Sequence, residues 1–467
     1  ACSGSGQFCI KIILIDLHTP FIKTPDNYMD HSSETPVAVQ LDPTQQSERI
    51  TALDILRGIV LFGILLMNIV EFGLAGAYFN PTVAGGSTGT NLFAWVIQQL
   101  FFEGTMRALF SLLFGVGTYI LLERLDHRKA GMKAADIYFR RLVWLLFFGL
   151  VHGYLLLWTG EILYDYALMG FLLFVFRKVA PKKLVGITIF LLAAGTLWNI
   201  MQYKAEVKLE HSATEARQLA ATGAELTKQQ KDDLGKWEEI EYKSSPAFVA
   251  EKNEHMRKGY FHLVAFLAPH NMETDTYMFY RYNLWDVLSM MLLGIALFKW
   301  KILGGHKSVR FYMLMVLIGY GIGLSVNYYE IGIIRESGFS YLGFSRSFIT
   351  YDIGRVSVAM GHIGVIMLFS KTTAMRWLKT GLAAVGKMAL TNYIMHSIIC
   401  MFVFTGVGLG LFGKLQRYEL YYVVLAVWVF QLIISPIWLR HYYYGPLEWL
   451  WRRLSYQYKP ALRKETT

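Results

Sequence analysis

The sequence predicts an all-α protein, a polytopic bundle of about ten transmembrane helices with a helical extracytoplasmic insertion. The 467 residues are 54% hydrophobic and only 17% charged, whereas about a quarter of the residues in a soluble chain are charged. Runs of roughly 20 mostly apolar residues recur along the chain. The basic residues lie in short loops between these runs. The net charge of +11 therefore follows the positive-inside pattern and does not indicate a nucleic-acid-binding surface.

The apolar runs define the elements of the bundle in order. The predicted spans cover residues 54–74, 104–123, 139–158, 161–177, 183–202, 283–300, 310–328, 350–370, 386–408 and 420–440. They divide the chain into a polar N-terminal segment (1–50), a first membrane half (51–202), the insertion (203–276), a second membrane half (277–455) and a tail (456–467). We expect residues 1–50 to be disordered and, before Met29, partly non-native.

The loops set the predicted orientation. Lys and Arg follow the even-numbered spans, whereas residues 75–102 contain neither. Both termini and the tail are therefore predicted to be cytoplasmic, and the insertion, which is rich in Glu, Lys, Gln and Ala, to be extracytoplasmic. The cysteines Cys2, Cys9 and Cys400 have neither the spacing of a metal site nor that of a disulfide framework.

The first span opens with Leu53-Asp54-Ile55-Leu56-Arg57-Gly58 and carries Asn68 deeper in the helix. A charge in or beside hydrocarbon costs roughly 3 kcal/mol on insertion scales, so it usually marks a function or a fixed partner. Asp54 and Arg57 are three residues apart and can pair on one helical face. The alternative is that they only cap the helix at the membrane interface.

Further polar and ionisable residues are predicted at the extracytoplasmic depth, where they would converge on a polar cavity because lipid exposure is costly. The set comprises Asn68, Glu71, Glu103, Arg107, His152, Glu161, Asp165 and Arg355. His152 is the natural acid or base, with Glu161 or Asp165 orienting its ring. The alternative is a packing histidine that is hydrogen-bonded to a neighbouring carbonyl.

Two other motifs carry polar residues into spans. Glu103 and Arg107 can form an internal ion pair if their helix is continuous, or Arg107 can bind an anionic group. The glycines that follow, Gly115 and Gly117, favour close helix packing.

In the late motif, Asn392 and His396 share one helical face, where they line a substrate path or join helices. The segment from Gly445 to Arg453 is rich in aromatic and basic residues. It is predicted to be an interfacial helix with a structural role.

These motifs, in this order over residues 50–455, resemble the YeiB-like family of bacterial multi-spanning membrane proteins. That family in turn is distantly similar to transmembrane acyltransferases that modify sugars and heparan sulfate, which begin with a similar Leu-Asp-x-x-Arg-Gly helix. Where the sugar O-acyltransferases have a catalytic His after this Arg, the present sequence has Asn68. The resemblance implies a location in the bacterial inner membrane.

The resemblance implies acyl transfer from a cytoplasmic acyl-CoA-type donor to an extracytoplasmic acceptor, a small molecule or a glycan. No tightly bound cofactor and no metal are expected, acyl-CoA being a substrate. The candidate catalytic residues are His152, Glu161 and Asn68. The candidate substrate-binding residues are Arg57, Glu103, Arg107, Arg355, Asn392 and His396.

Arg57, together with loop residues such as Arg140 and Arg141, is expected to meet the phosphates of the donor, and His396 to line the acyl tunnel. The rival interpretations are a transporter of a small solute or lipid and a non-catalytic scaffold. Membrane lipid is an expected partner and nucleic acid is not, and the sequence leaves homo-oligomers open.

Overall fold

The computed structural model describes residues 50–464, except 79, 130 and 459, and leaves out the side chain of residue 282. The prediction for residues 1–50 lies outside the described residues, with the exception of Ile50. Cys2 and Cys9 also lie outside them.

The fold class is confirmed, because the described part of the chain is helical and contains no β-strand. The helices, numbered in chain order, are α1 Thr51–Gly73, α2 Gly89–Ile97, α3 Thr105–His127, α4 Met132–Leu150, α5 Leu163–Phe176, α6 Pro181–Ala221, α7 Lys228–Lys243, α8 Pro246–Met256, α9 Tyr260–Glu273, α10 Leu284–Lys299, α11 Val309–Glu336, α12 Tyr341–Ser347, α13 Tyr351–Lys371, α14 Arg376–Lys387, α15 Ala389–Phe404, α16 Arg417–His441 and α17 Pro446–Tyr456. Three π-helical segments interrupt them: Gln98–Phe102, Val151–Leu155 and Thr274–Asn283.

The chain is an integral membrane protein by the length and composition of its helices. Among the described residues, 6 helices are long and apolar enough to cross a membrane, or 8 if each of two bent pairs is one span. These account for eight of the predicted ranges. The other two, 139–158 and 161–177, fall on α4 with its π-helical extension and on α5, which has only 14 residues.

Burial separates an inner helix from outer ones. The apolar stretch of α1 is mostly buried among α3, α13, α14, α15 and α16, whereas only a small part of those of α6, α11 and α16 is buried. Large apolar side chains such as Ile189, Leu317 and Ile433 project from these outer helices. Such exposed faces suit contact with lipid chains. Helix α1 therefore carries its polar residues into the centre of the bundle.

Two motif glycines explain how α1 is held. A Cβ on Gly58 would lie 2.1 Å from the backbone oxygen of Leu382, and one on Gly386 would lie 2.0 Å from that of Asp54. Helices α1 and α14 therefore touch backbone to backbone. Gly115 has the same role between α3 and α10, as predicted, since its Cβ would lie 2.2 Å from the oxygen of Met291. Gly117 faces open space, so the prediction for it is wrong.

Replacing Gly386 with alanine should therefore destabilise the protein by about 1–3 kcal/mol, because backbone must move to admit the methyl group. The measurement is chemical unfolding of purified protein in detergent, followed by intrinsic fluorescence. Gly117→Ala is the matched control and should not lower stability, since nothing lies within 4 Å of its Cβ. Equal stability of the two variants would contradict the backbone contact.

The segments outside the spans dock onto the bundle. In the insertion, Lys252 of α8 forms a 3.0 Å salt bridge with Glu71 at the end of α1. At the other end, Glu448 of α17 accepts hydrogen bonds from the backbone and the side chain of Thr391 at the start of α15. These bonds support the structural interpretation of residues 445–453.

Candidate functional site

His152 lies at the centre of a buried chain of polar side chains. Its Nδ1 is 3.2 Å from Oε1 of Glu161, and its Nε2 is 2.6 Å from Oγ of Ser397. His152, Glu161 and Ser397 are 0%, 5% and 1% exposed. The structure thus unites two predicted residues with a serine that sequence reasoning had not selected.

Local structure fixes the imidazole ring from several sides. His152 lies in the π-helical segment Val151–Leu155, and π-helical turns often occur at functional sites. Asn271 of α9 donates a 2.7 Å hydrogen bond to the carbonyl of Gly153 in that segment. The ring of Tyr393 packs edge-to-face on the imidazole at 5.0 Å. The ring therefore has little freedom to turn away from its partners.

The carboxylate of Glu161 is fixed just as firmly. Glu161 lies just before α5, and its carboxylate accepts hydrogen bonds from the backbone N–H groups of Leu163 (2.7 Å) and Tyr164 (2.8 Å). A carboxylate at a helix N-terminus is stabilised in its charged form. It can therefore accept the Nδ1–H of His152, which leaves Nε2 to accept the hydroxyl proton of Ser397.

A hydroxyl, an imidazole and a carboxylate in this order form a triad of the kind that activates a serine as a nucleophile. The imidazole can take the proton of Ser397 as its oxygen attacks a carbonyl carbon, and the carboxylate stabilises the resulting imidazolium. The packing-histidine interpretation accounts less well for the site, because both ring nitrogens of His152 face side chains with complementary roles.

A second cluster contains two arginines, of which Arg355 is buried and Arg107 is partly exposed. Arg107 forms a 2.5 Å salt bridge with Asp286, and Arg355, which is 1% exposed, bridges Asp286 and Asp352. The proposed ion pair between Glu103 and Arg107 assumed a continuous helix. The helix breaks at Gly104, whose φ is +63°, and Arg107 turns to Asp286 instead. Asp286 was not identified from the sequence.

A small cavity adjoins the second cluster, and its empty space, including open solvent, is about 430 Å³. It is lined by Gln99, Glu103, Asn327, Glu330, Ile331, Ile334, Phe344, Ser347, Phe348, Tyr351 and Arg355. His152 and Glu161 are not in its wall, so the expectation of one pocket shared with Arg355 needs correction. Two clusters exist instead, and between them Ser111 binds the hydroxyl of Tyr166 (2.7 Å) and the carbonyl of Arg107 (2.9 Å).

The late motif joins helices. Nε2 of His396 lies 3.0 Å from Oε1 of Gln431 on α16, and the amide of Asn392 donates to the carbonyl of Val385 and to Ser435. These bonds agree with the helix-joining interpretation of the motif. Asn68 is half-buried, and the structure gives its side chain no hydrogen bond within the residues described.

A second small cleft lies near the triad, and its empty space, including open solvent, is about 400 Å³. Its wall includes Leu156, one turn after His152, and Met401 and Thr405, one and two turns after Ser397 on α15. Trp158 of the same wall stacks on Phe72 at 3.8 Å. The insertion contributes Lys252, Met256 and Leu267. Neither His152 nor Ser397 is part of its wall.

The predicted cytoplasmic end carries basic side chains. Arg57 pairs with Asp54 at 2.9 Å, which confirms that prediction. Arg141 of α4 lies over the ring of Trp451 at 3.4 Å, and its guanidinium is repelled by those of Arg57 and Arg452. Within the described residues, no group of three or more His, Cys, Asp or Glu side chains could hold a metal ion.

Comparisons with known proteins match almost the whole chain. A family model described as "Protein of unknown function (DUF418)" matches residues 297–458. The chain is 30% identical to "Uncharacterized protein YxaH" of Bacillus subtilis (strain 168) over 440 residues, which cover 91% of this chain and 98% of the relative. It is also 30% identical to "Uncharacterized protein YeiB" of Escherichia coli (strain K12), with 89% and 99% covered. No solved structure matches the chain.

Proposed function

The chain belongs to the YeiB-like family of membrane proteins, and we propose that this member is a transmembrane acyltransferase in which Ser397 is the nucleophile. The observation that carries the proposal is the buried chain from Glu161 through His152 to Ser397, with contacts of 3.2 and 2.6 Å. Acyl transfer needs a nucleophile, a base within hydrogen-bond reach and a group that orients the base. Here Ser397 is the nucleophile, His152 the base and Glu161 the group that orients the base.

In the first half-reaction, Oγ of Ser397 attacks the carbonyl carbon of an acyl thioester while its proton moves to Nε2 of His152. The carbon–sulfur bond breaks, and the leaving thiolate takes that proton from His152. The products are an ester on Ser397 and a free thiol. Glu161 stabilises the positive imidazolium between the two proton transfers.

In the second half-reaction, His152 removes the proton of an acceptor hydroxyl or amine as the acceptor attacks the ester on Ser397. The Ser397 oxygen then leaves and takes the proton back from His152. The net change moves the acyl group from thiol to acceptor. Asn68 is the proposed donor to the oxyanion in both steps, since its side-chain amide is not bound elsewhere among the described residues.

The donor is proposed to be an acyl-CoA that enters from the cytoplasm. Arg57 and Arg452 both repel Arg141 at that end of the bundle, and phosphate groups would relieve the repulsion. The acceptor is proposed to enter by the cleft beside Trp158, on the side of the insertion. In this proposal the donor and the acceptor reach Ser397 from opposite faces of an inner membrane.

A second candidate, transport of a small solute, is favoured by the helix break before Gly104. Broken spans beside buried charges are typical of transporter binding sites. The break places Glu103 in the wall of the small cavity next to the Arg355 cluster. Thioester turnover at Ser397 separates the two candidates, because a transporter has no need of it.

Purified protein in lipid should release thiol from acetyl-CoA or a longer acyl-CoA, and His152→Ala should slow that release about 10²–10⁴-fold, the usual cost of losing a general base. Glu161→Gln should slow it less, because the amide oxygen keeps one helix-capping bond while the charge is lost. His306→Ala, an exposed histidine, is the matched control and should leave the rate unchanged. A His152→Ala rate equal to that of the control would refute the proposal.

A further inference from the structure

Two neighbouring loops at one end of the bundle form a strongly basic surface. One loop joins α10 to α11, and the other runs from the end of α13 into α14. Arg310, Lys371 and Arg376 are exposed, and Lys307 and Lys379 are half-buried. These five side chains are the basic surface.

Tyr312 holds the two loops against each other. This buried tyrosine donates a 2.6 Å hydrogen bond to a carbonyl of the α10–α11 loop and accepts a 3.3 Å bond from the backbone N–H of Lys307. The Nζ of Lys371 lies 6.0 Å from the centre of its ring. Lys379 donates a 2.9 Å bond to the hydroxyl of Thr372, which directly follows Lys371. The fold therefore gathers basic side chains from two loops on one surface.

No carboxylate neutralises the basic surface. The sequence has no Asp or Glu between Asp286 and Glu330, and none between Asp352 and Glu419. Within the part of the chain that the structure describes, none of the five side chains forms a salt bridge. A surface of one sign of charge attracts groups of the opposite sign. The partner of this surface is therefore an anion.

The neighbouring side chains identify the anion as a lipid headgroup. Directly after Arg310, α11 exposes Phe311 (38%) and Met313 (58%), which suit contact with lipid chains. Directly after Arg376, the ring of Trp377 is 72% exposed, and tryptophan is enriched where hydrocarbon meets headgroups. A lipid whose chains cover the apolar face of α11 has its phosphate at the height of the basic surface.

The direction of α14 agrees with a position at the membrane surface. It meets the apolar helix α15 at 85°, so α14 runs along the surface where α15 enters the bilayer. We propose that the basic surface binds the phosphate groups of anionic phospholipids, of which phosphatidylglycerol is the simplest probe. Each basic side chain near an anionic membrane surface strengthens binding about fivefold. The proposal does not depend on acyl transfer.

Native mass spectrometry of the purified full chain tests the proposal with phosphatidylglycerol and phosphatidylcholine that carry the same acyl chains. Retention of phosphatidylglycerol should be at least about fivefold higher, because only this lipid has a net negative charge. Equal retention of the two lipids would overturn the proposal. Displacement of the bound lipid by inorganic phosphate, but not by sodium chloride of the same ionic strength, would also overturn it, in favour of a free-phosphate site.

Variants locate the binding. The double variant Lys371→Gln, Arg376→Gln removes two exposed charges, so it should fold and retain phosphatidylglycerol at least about tenfold less. The matched control Lys231→Gln, Lys236→Gln removes the same charge from exposed positions of α7 and should retain the lipid as the wild type does. Equal retention of phosphatidylglycerol by the two double variants would contradict the proposed site.

Discussion

Replacing Ser397 with alanine should reduce acyl-CoA turnover by at least about 10³-fold, because removal of the nucleophile of a serine triad removes most of its rate enhancement. Ser397 is buried in α15 and its Oγ lies 2.6 Å from His152. Alanine is smaller and apolar and is accepted in helices, so the bundle should fold. The measurement is thiol release from acyl-CoA by matched amounts of protein in lipid.

Two further variants control this prediction. Ser325→Ala changes an exposed serine of α11 and should leave turnover as in the wild type. Ser397→Cys keeps a nucleophile at the same place and should still form a covalent acyl intermediate with a donor. Turnover in Ser397→Ala close to that of Ser325→Ala would show that this hydroxyl is not the nucleophile.

Replacing Asp286 with alanine should destabilise the protein by about 3–5 kcal/mol, the usual effect of removing one member of a buried ion network. Asp286 binds both Arg107 (2.5 Å) and Arg355. Its loss leaves the buried Arg355 with Asp352 alone and leaves the partly exposed Arg107 without its salt bridge. Chemical unfolding in detergent, followed by intrinsic fluorescence, measures the change in the free energy of unfolding.

Asp136→Ala is the matched control for this prediction. Asp136 also pairs with an arginine, Arg140, but its side chain is 63% exposed, and exposed ion pairs contribute about 0–1 kcal/mol. A loss of stability no greater in Asp286→Ala than in Asp136→Ala would mean that the arginine cluster does not stabilise the fold.

Much of the fold follows from composition. A run of about 20 apolar residues has few alternatives to a spanning helix, so eight of the predicted ranges coincide with candidate spans. The exceptions have physical causes. Helix α4 carries Lys133, Asp136, Arg140 and Arg141, which dilute its apolar character, and α5 has only 14 residues, with Glu161 bonded to its first N–H groups.

The site was predictable only in part. His152 and Glu161 were identified because ionisable groups are rare in spans. Ser397 was overlooked, since a lone hydroxyl in an apolar helix is ordinary and only the packing of α15 against the His152 segment gives it a partner. The separation into two clusters depends on the break at Gly104, and a π-helical turn has no simple sequence pattern.

The central claim is that Ser397 is a nucleophile activated by His152 and Glu161. Labelling of the purified protein in lipid with a fluorophosphonate, followed by peptide mass spectrometry, tests it most directly, because such probes react with activated serines. The account predicts one labelled serine, Ser397, with labelling strongly reduced in His152→Ala. Labelling that is absent from Ser397, or that is equally strong without His152, would contradict it.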